Sequence, residues 1–142
     1  MTKNELLQQL KHEISPFEEK SLQCTDTNLV IGKYNRQSML ELLKMDKTSD
    51  QIIDTDKVDL LRNSLQKYLD QYMEQKEGHK WVILASIYHA FILEIPLHPI
   101  EVTKIKTIQK GDVTKYYCPC RDASDGSLCH LCVCMDYKTD NI

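Results

Sequence analysis

Apolar residues recur at helical intervals over most of residues 1–96, which predicts a mainly α fold. Thr2 and Glu5 have the spacing of a capping box at the start of the first apolar stripe. Ser15-Pro16 predicts a second, short helix, since proline suits the first helical position. Gly78 is a natural helix stop between two later segments. These later helices are predicted over residues 29–45, 56–77 and 79–95.

The helix predicted over residues 79–95 is apolar nearly all round, which is typical of the central buried member of a bundle. Pro96 ends it, and Leu97-His98-Pro99 is predicted to be extended because a residue before proline avoids the helical region. The apolar pattern then changes its period. Two β-branched stretches, Val102–Ile108 and Val113–Tyr117, flank a four-residue loop and predict a hairpin.

Beyond the hairpin we predict a polar loop and a last short helix that carries Cys129 and Cys132. The predicted fold class is therefore a mainly α helical bundle with a C-terminal β-hairpin and short helix that form a cysteine-rich metal knuckle. A chain of 142 residues fits one domain and buries enough surface to fold without covalent cross-links. We expect a single domain over 1–142, with the bundle in 1–96 and a cysteine-rich metal-binding extension in 97–142.

Five of the six cysteines fall within seventeen residues near the C-terminus, and thiolates are strong ligands for soft and borderline metals. Positions two apart share one side of a strand, and positions three apart are neighbours on a helix. A strand-end pair and a helix-start pair therefore predict a four-thiolate Zn²⁺ site, with an iron–sulfur cluster as the alternative cofactor. These four ligands are Cys118, Cys120, Cys129 and Cys132.

Three other side chains bear on that ligand set. Cys134 would point away if the short helix continued, and it becomes available only if the segment forms a knuckle. His98 is a rival fourth ligand because prolines hold it in a stiff, extended segment, although a packed or exposed loop histidine is the competing interpretation. His89 lies in the apolar helix and is interpreted as a core histidine.

Net charge and hydropathy exclude several classes of protein. A formal charge of −3 argues against broad nucleic-acid binding, which needs a basic surface. A local basic stretch over residues 101–121 is interpreted as offsetting thiolate charge, with a nucleic-acid-binding ribbon as the alternative. The longest apolar run, residues 81–93, is too short to span a bilayer. We expect a cytoplasmic protein without a membrane segment, in which clustered cysteines are metal ligands or redox thiols.

Three motifs resemble an uncharacterised protein family known mainly from methanogenic archaea. They are Pro96-Leu97-His98-Pro99 at the end of a helix, Tyr116-Tyr117-Cys118-Pro119 and Leu128-Cys129-His130-Leu131-Cys132, and the resemblance extends from about Leu40 to the C-terminus. It implies a mainly helical cytoplasmic protein from a strict anaerobe and brings no known activity. The family pattern matches at Cys118, Cys129, Cys132 and His98, which makes a Cys₃His site an alternative to four cysteines.

A second, partial resemblance is to the catalytic subunit of ferredoxin–thioredoxin reductases. Cys118-Pro119-Cys120, eight residues and then Cys129 look like part of that enzyme's cysteine motif. The upstream Cys-Pro-Cys is absent, and Cys129-His130-Leu131-Cys132 replaces a tighter Cys-His-Cys. We interpret this likeness as a coincidence of cysteine-rich local sequence.

The leading hypothesis is a metal-binding protein whose structural zinc site stabilises a C-terminal interaction module, with a protein as the partner. The alternative is an iron–sulfur redox protein or a thiol–disulfide reductase. The sequence contains no glycine-rich phosphate loop and no nucleophile elbow, so it identifies no catalytic set.

Overall fold

The computed structural model describes residues 1–15, 30–72, 76–98, 103–121 and 128–136. Its helices are α1 (Lys3–Ile14), α2 (Val30–Lys44), α3 (Thr55–Tyr72), α4 (Lys76–Ile87), a π-helix (Tyr88–Leu93) and a 3₁₀-helix (Leu128–Leu131). Its strands are β1 (Lys106–Lys110), β2 (Val113–Cys118) and β3 (Met135–Asp136). The mainly α class with a C-terminal hairpin is confirmed. The helix predicted at Ser15-Pro16 falls beyond the described part of the chain.

Helix α1 begins with the predicted capping box. The Thr2 hydroxyl accepts a hydrogen bond of 3.1 Å from the Glu5 backbone N–H. The Glu5 carboxylate in turn accepts one of 3.2 Å from the Thr2 backbone N–H. These two bonds satisfy donors that a helix start otherwise leaves unpaired. At the other end of α1, Glu13 forms two hydrogen bonds of 3.0 Å with Arg62 of α3 and joins the two helices.

Helix α4 is the central element, as predicted from a sequence that is apolar nearly all round over residues 79–95. The side chains from Ile83 to Tyr88 are all buried, and α4 packs against both α2 and α3. Seventeen buried hydrophobic residues, counted among the described residues between Leu6 and Ile92, form one continuous cluster around it. Such burial is the main source of folding free energy, at roughly 25 cal/mol per Å² of apolar surface. No helix in the described ranges is both long enough and apolar enough to cross a bilayer.

The two ends of the central helix differ from the sequence prediction. Gly78 does not stop a helix but lies in the first turn of α4, because burial of that helix outweighs the roughly 1 kcal/mol that glycine costs. Downstream, α4 continues as the π-helix, and Glu94 ends it in the left-handed region at φ 53°. The Ile95 backbone N–H then donates a 2.9 Å hydrogen bond to the carbonyl of His89.

The hairpin is shorter than predicted. β1 and β2 pair antiparallel from Lys106 opposite Tyr117 to Lys110 opposite Val113, so the loop has two residues and not four. Gly111 supplies the positive φ, 61°, that such tight turns require. Residues 103–105 are not part of the first strand, since the chain turns there with Lys104 at φ 55°.

A third strand and a short helix complete the C-terminal region. β3 pairs parallel to β2, with residue 135 opposite Tyr117. The predicted short helix is a 3₁₀-helix, and Cys129 lies in it whereas Cys132 lies in the bend that follows. Leu128 and Leu131 of this helix pack against the core cluster, and the helix contacts α3. This contact places the cysteines beside the bundle.

Candidate cysteine site

A cavity of about 140 Å³ lies where the C-terminal region meets the bundle, and four cysteines line it. These are Cys118 at the end of β2, Cys129 in the 3₁₀-helix, Cys132 in the following bend and Cys134 just before β3. Helices α2 and α4 and the segment after the π-helix complete the wall. Its remaining members are Asn35, Val82, Ser86, Leu97, His98, Ile105, Arg121 and Leu128.

The segment from Glu94 to His98, here called the strap, connects the bundle to this cavity. The Lys3 ammonium group lies 3.3 Å from the Glu94 carboxylate and ties the start of the strap to α1. The same Lys3 nitrogen is 3.5 Å from the carbonyl oxygen of Ile92 in the π-helix. These contacts fix the direction in which the chain leaves the bundle.

Two hydrogen bonds then bring the strap to the cysteines. The Tyr34 hydroxyl of α2 donates a 2.6 Å bond to the carbonyl of Pro96. The next residue, Leu97, points its backbone N–H at the Cys132 sulfur, 3.4 Å away. A backbone N–H that donates to sulfur favours the thiolate over the thiol. The bundle thus supplies a fixed hydrogen-bond donor to one cysteine of the cavity.

Cys132 and Cys134 form a hydrogen-bonded pair of sulfur atoms. The Cys134 thiol donates to the Cys132 sulfur, and this bond lowers the pKa of Cys132 to about 6. The same bond, together with burial, raises the pKa of Cys134. Cys134 is only 6% exposed, so its proton is well shielded from solvent. Within the pair Cys134 is therefore the donor, and Cys132 is the acceptor and the more readily ionised thiol.

The other two cavity cysteines are less closely placed. Burial raises the pKa of the Cys118 thiol, although the Cys120 backbone N–H donates to its sulfur. Cys129 is half-buried in the 3₁₀-helix. Across the described ranges, no three or more histidine, cysteine, aspartate or glutamate side chains converge closely enough to hold a metal ion as they stand. The cavity gathers four thiols without closing them on one point.

The structure distributes the five predicted ligands unevenly. Cys118, Cys129, Cys132 and His98 all line the cavity. Cys120 does not, because it is exposed and its sulfur donates a 3.8 Å hydrogen bond to the carbonyl of Thr103.

Cys134 lines the cavity, which the sequence analysis expected only if this segment formed a knuckle. The chain bends at Cys132 and Val133 and does not continue as a helix, so Cys134 turns into the cavity. The two-residue spacing of Cys132-Val133-Cys134 just before a strand is the signal that could have identified it.

Arg121 provides positive charge at the cavity wall. Its backbone N–H donates a 3.3 Å bond to the Cys118 carbonyl, and its guanidinium lies 3.3 Å from Nδ1 of His130. Its Nε is buried and has no hydrogen-bond acceptor within the part of the chain that the structure describes. A cation near thiols favours their ionised forms. The interpretation that the local basic charge offsets thiolate charge stays a prediction.

His89 lies outside the site and inside the bundle core. It is fully buried, its Nε2 is hydrogen-bonded to the Ser38 hydroxyl, and its ring centroid is 4.5 Å from that of Tyr34. Nδ1 has no partner among the described residues, and burial lowers the pKa of His89 to about 4. The interpretation as a core histidine agrees with this position, and the ring supports Tyr34, which holds the strap.

Comparison with known proteins places the chain in a family without assigning it an activity. Neither the search of curated proteins nor the search of solved structures found a match. One family model matches residues 2–137, nearly the whole chain, in agreement with the resemblance to an uncharacterised archaeal family. The chain therefore belongs to the family described as "uncharacterized protein conserved in archaea (DUF2115)".

Proposed function

We propose that the protein binds a thiophilic metal at the cysteine cavity and that Zn²⁺ is the first candidate. The observation that carries this proposal is the gathering of four cysteines, from four separate positions of the C-terminal region, around one cavity. Closed sites of four cysteines are typical of structural zinc, which takes tetrahedral sulfur ligands. The donor set is therefore of the right kind and number.

Cys132 and Cys134 would supply half of the ligand set, since they are separated by one residue and line the same cavity. Cys118 and Cys129 face the same cavity and complete a four-thiolate set. His98 also lines the cavity, so it is the alternative fourth ligand in a Cys₃His site. Cys120 is left out of the proposed set.

A metal in this position would act as a cross-link. It would join the end of β2, the 3₁₀-helix and the approach to β3, which are short elements with few buried apolar residues of their own. Metal binding and local folding are coupled in such sites, because the ligands are brought together only in the folded state. The stabilised hairpin would serve as an interaction module. Its protein partner and the expected methanogenic setting stay predictions.

An iron–sulfur cluster is the second candidate. The cavity of about 140 Å³ is large for a single ion, and its four cysteines line the wall without converging. Clusters are held by four cysteine thiolates spaced around a larger inorganic core. A cluster would give the protein a redox role.

Elemental analysis and a visible spectrum of anaerobically purified protein test both candidates. For zinc we expect a colourless protein with one equivalent of Zn²⁺. Cys132→Ser should lose most of the metal because Cys132 is central to the set, and Cys120→Ser is the matched control that should retain it. A brown protein with stoichiometric iron and sulfide would support the cluster and exclude zinc. Absence of metal, with no uptake of Zn²⁺ or of a reconstituted cluster, would contradict both.

A further inference from the structure

Cys132 and Cys134 are the two cavity cysteines that lie nearest along the chain, with one residue between them. On a continued helix, residues two apart would point about 200° away from each other. The bend at Cys132 and Val133 removes that separation, so both side chains line the same cavity, where each alters the ionisation of the other. Two thiols that face one cavity from positions this close need little further movement to form a disulfide.

The two sulfurs differ in their access to solvent. Cys132 is half-buried and lines the cavity, whereas Cys134 is 6% exposed. A dissolved oxidant therefore reaches Cys132 first and leaves Cys134 behind it as the second thiol. The Leu97 backbone N–H, 3.4 Å from the Cys132 sulfur, stabilises negative charge on the attacking atom.

We infer that Cys132 and Cys134 form a reversible disulfide and that this bond and metal binding exclude each other. The second half of the inference rests on the proposed metal site, but the first half does not. The single residue between the cysteines makes the ring small and strained, and strained disulfides are the easily reduced, regulatory kind. The cysteine cavity would thus release its metal under oxidising conditions and accept it again after reduction.

The chemistry balances with a low-molecular-mass disulfide as the oxidant. The Cys132 thiolate attacks one sulfur of that disulfide, whose S–S bond breaks and expels one thiolate. Cys134 then gives its proton to solvent and attacks the Cys132 sulfur of the mixed disulfide, which expels the second thiolate. The protein loses two thiol hydrogens, and the oxidant becomes two thiols. A metal held by both cysteines would lose two ligands at once.

The first arm of the test uses the metal-free, reduced full-length chain. It is equilibrated with graded ratios of oxidised to reduced glutathione, alkylated and mapped by peptide mass spectrometry. We expect one intramolecular bond, between Cys132 and Cys134, in the wild type and equally in Cys120→Ser. In Cys134→Ser the bond should be lost, and a mixed disulfide with glutathione should accumulate on Cys132. A bond mapped to Cys118 and Cys120, or to any other pair, would overturn the inference.

The second arm uses protein loaded with Zn²⁺ and a chromogenic chelator. Zinc release should follow the same dependence on the glutathione ratio as formation of the Cys132–Cys134 bond, and reductant should restore binding. Retention of zinc by protein that carries the bond would overturn the exclusion. If the protein takes up no zinc, the proposed function fails while the first arm still decides whether the redox pair exists.

Discussion

The helical bundle and the region from residue 105 to residue 136 are stabilised by different kinds of contact. The described part of the bundle holds seventeen buried hydrophobic residues in one cluster, all between Leu6 and Ile92. Among the described residues of the C-terminal region, the buried hydrophobics are Ile105, Tyr117 and Cys134, and one of these is a thiol. A hairpin with so little apolar burial is marginal by itself and needs packing against another element or a cross-link.

This contrast indicates that the C-terminal region depends on the bundle for its stability more than the bundle depends on the C-terminal region. The C-terminal region packs against the bundle through Leu128 and Leu131. The strap adds a hydrogen bond from the Leu97 backbone N–H to the Cys132 sulfur. Of the residues that the structure describes beyond the strap, these two half-buried leucines are the ones that pack against the continuous bundle core. We therefore expect damage to the bundle to unfold both regions, and damage to the C-terminal region to remain local.

Leu84→Ala should have the largest effect, because Leu84 is fully buried in the central helix. Removal of its side chain leaves a cavity and should lower the free energy of unfolding by about 2–5 kcal/mol. Urea denaturation followed by the fluorescence of Trp81 and by amide exchange of the hairpin measures both regions. Leu60→Ala, at a side chain that is 54% exposed on α3, is the control and should change stability by less than about 0.5 kcal/mol. Unchanged amide exchange of the hairpin in Leu84→Ala would contradict the proposed dependence of the C-terminal region on the bundle.

Acid should destabilise the bundle through His89. Burial lowers the pKa of His89 in the folded protein to about 4, below the ordinary 6.5 of the unfolded chain. As the pH falls below about 6.5, the unfolded chain binds a proton that the folded chain binds only near pH 4. The stability contributed by the neutral histidine is thus complete above pH 6.5 and is lost on acidification, by up to about 3 kcal/mol.

The comparison between the wild type and His89→Gln isolates this contribution. At neutral pH the variant should be less stable than the wild type. On acidification its free energy of unfolding should fall less steeply, because the titrating histidine is absent. Denaturant midpoints between pH 4 and pH 7, measured by Trp81 fluorescence, give both slopes. Parallel slopes would show that His89 titrates normally in the folded state and that its burial is incomplete.

Tyr34→Phe should have the smallest effect and should act on the contact between the regions. It removes the 2.6 Å hydrogen bond to Pro96 and should cost about 1 kcal/mol of stability. The more specific result should be faster exchange of the Leu97 amide, whose position relative to Cys132 depends on the strap. Tyr88→Phe is the matched control, since its hydroxyl contacts the Met45 sulfur at 3.9 Å and not the strap. Equal Leu97 exchange in the two variants would show that Tyr34 does not hold the strap.

The parts of the fold that follow from the sequence are those decided by neighbouring residues. The capping box of Thr2 and Glu5 and the central helix, apolar nearly all round, need only local spacing and burial, and both are present as predicted. The hairpin was placed correctly but both ends of its first strand were wrong: pairing of Lys110 with Val113 shortens the loop, and the left-handed turn at Lys104 delays the start of the strand. A lysine in that conformation carries no sequence signal of the kind that Gly111 carries.

The choice of cysteines depends on contacts that are distant along the chain. Whether Cys120 or Cys134 faces the cavity is decided by where the 3₁₀-helix ends and by the pairing of β3 with β2 at Tyr117. Spacing rules assume that a helix or strand continues, and here the chain bends directly after Leu131. The density of cysteines in the sequence therefore identifies the region of the site, whereas tertiary structure decides which of these cysteines line the cavity.

The π-helix from Tyr88 to Leu93 has a consequence for the length of the chain. Its wider hydrogen-bonding pattern accommodates an additional residue compared with an α-helix. Deleting one residue there would restore ordinary α-helical winding and leave the direction of the downstream chain nearly unchanged. Deleting one residue from α4 itself, which has no residue to spare, would rotate everything downstream by about 100° and retract it by about 1.5 Å. The Leu97 amide would then no longer face Cys132. The π-helix is thus the turn of the central helix at which a change in chain length preserves the angle between the two halves of the protein.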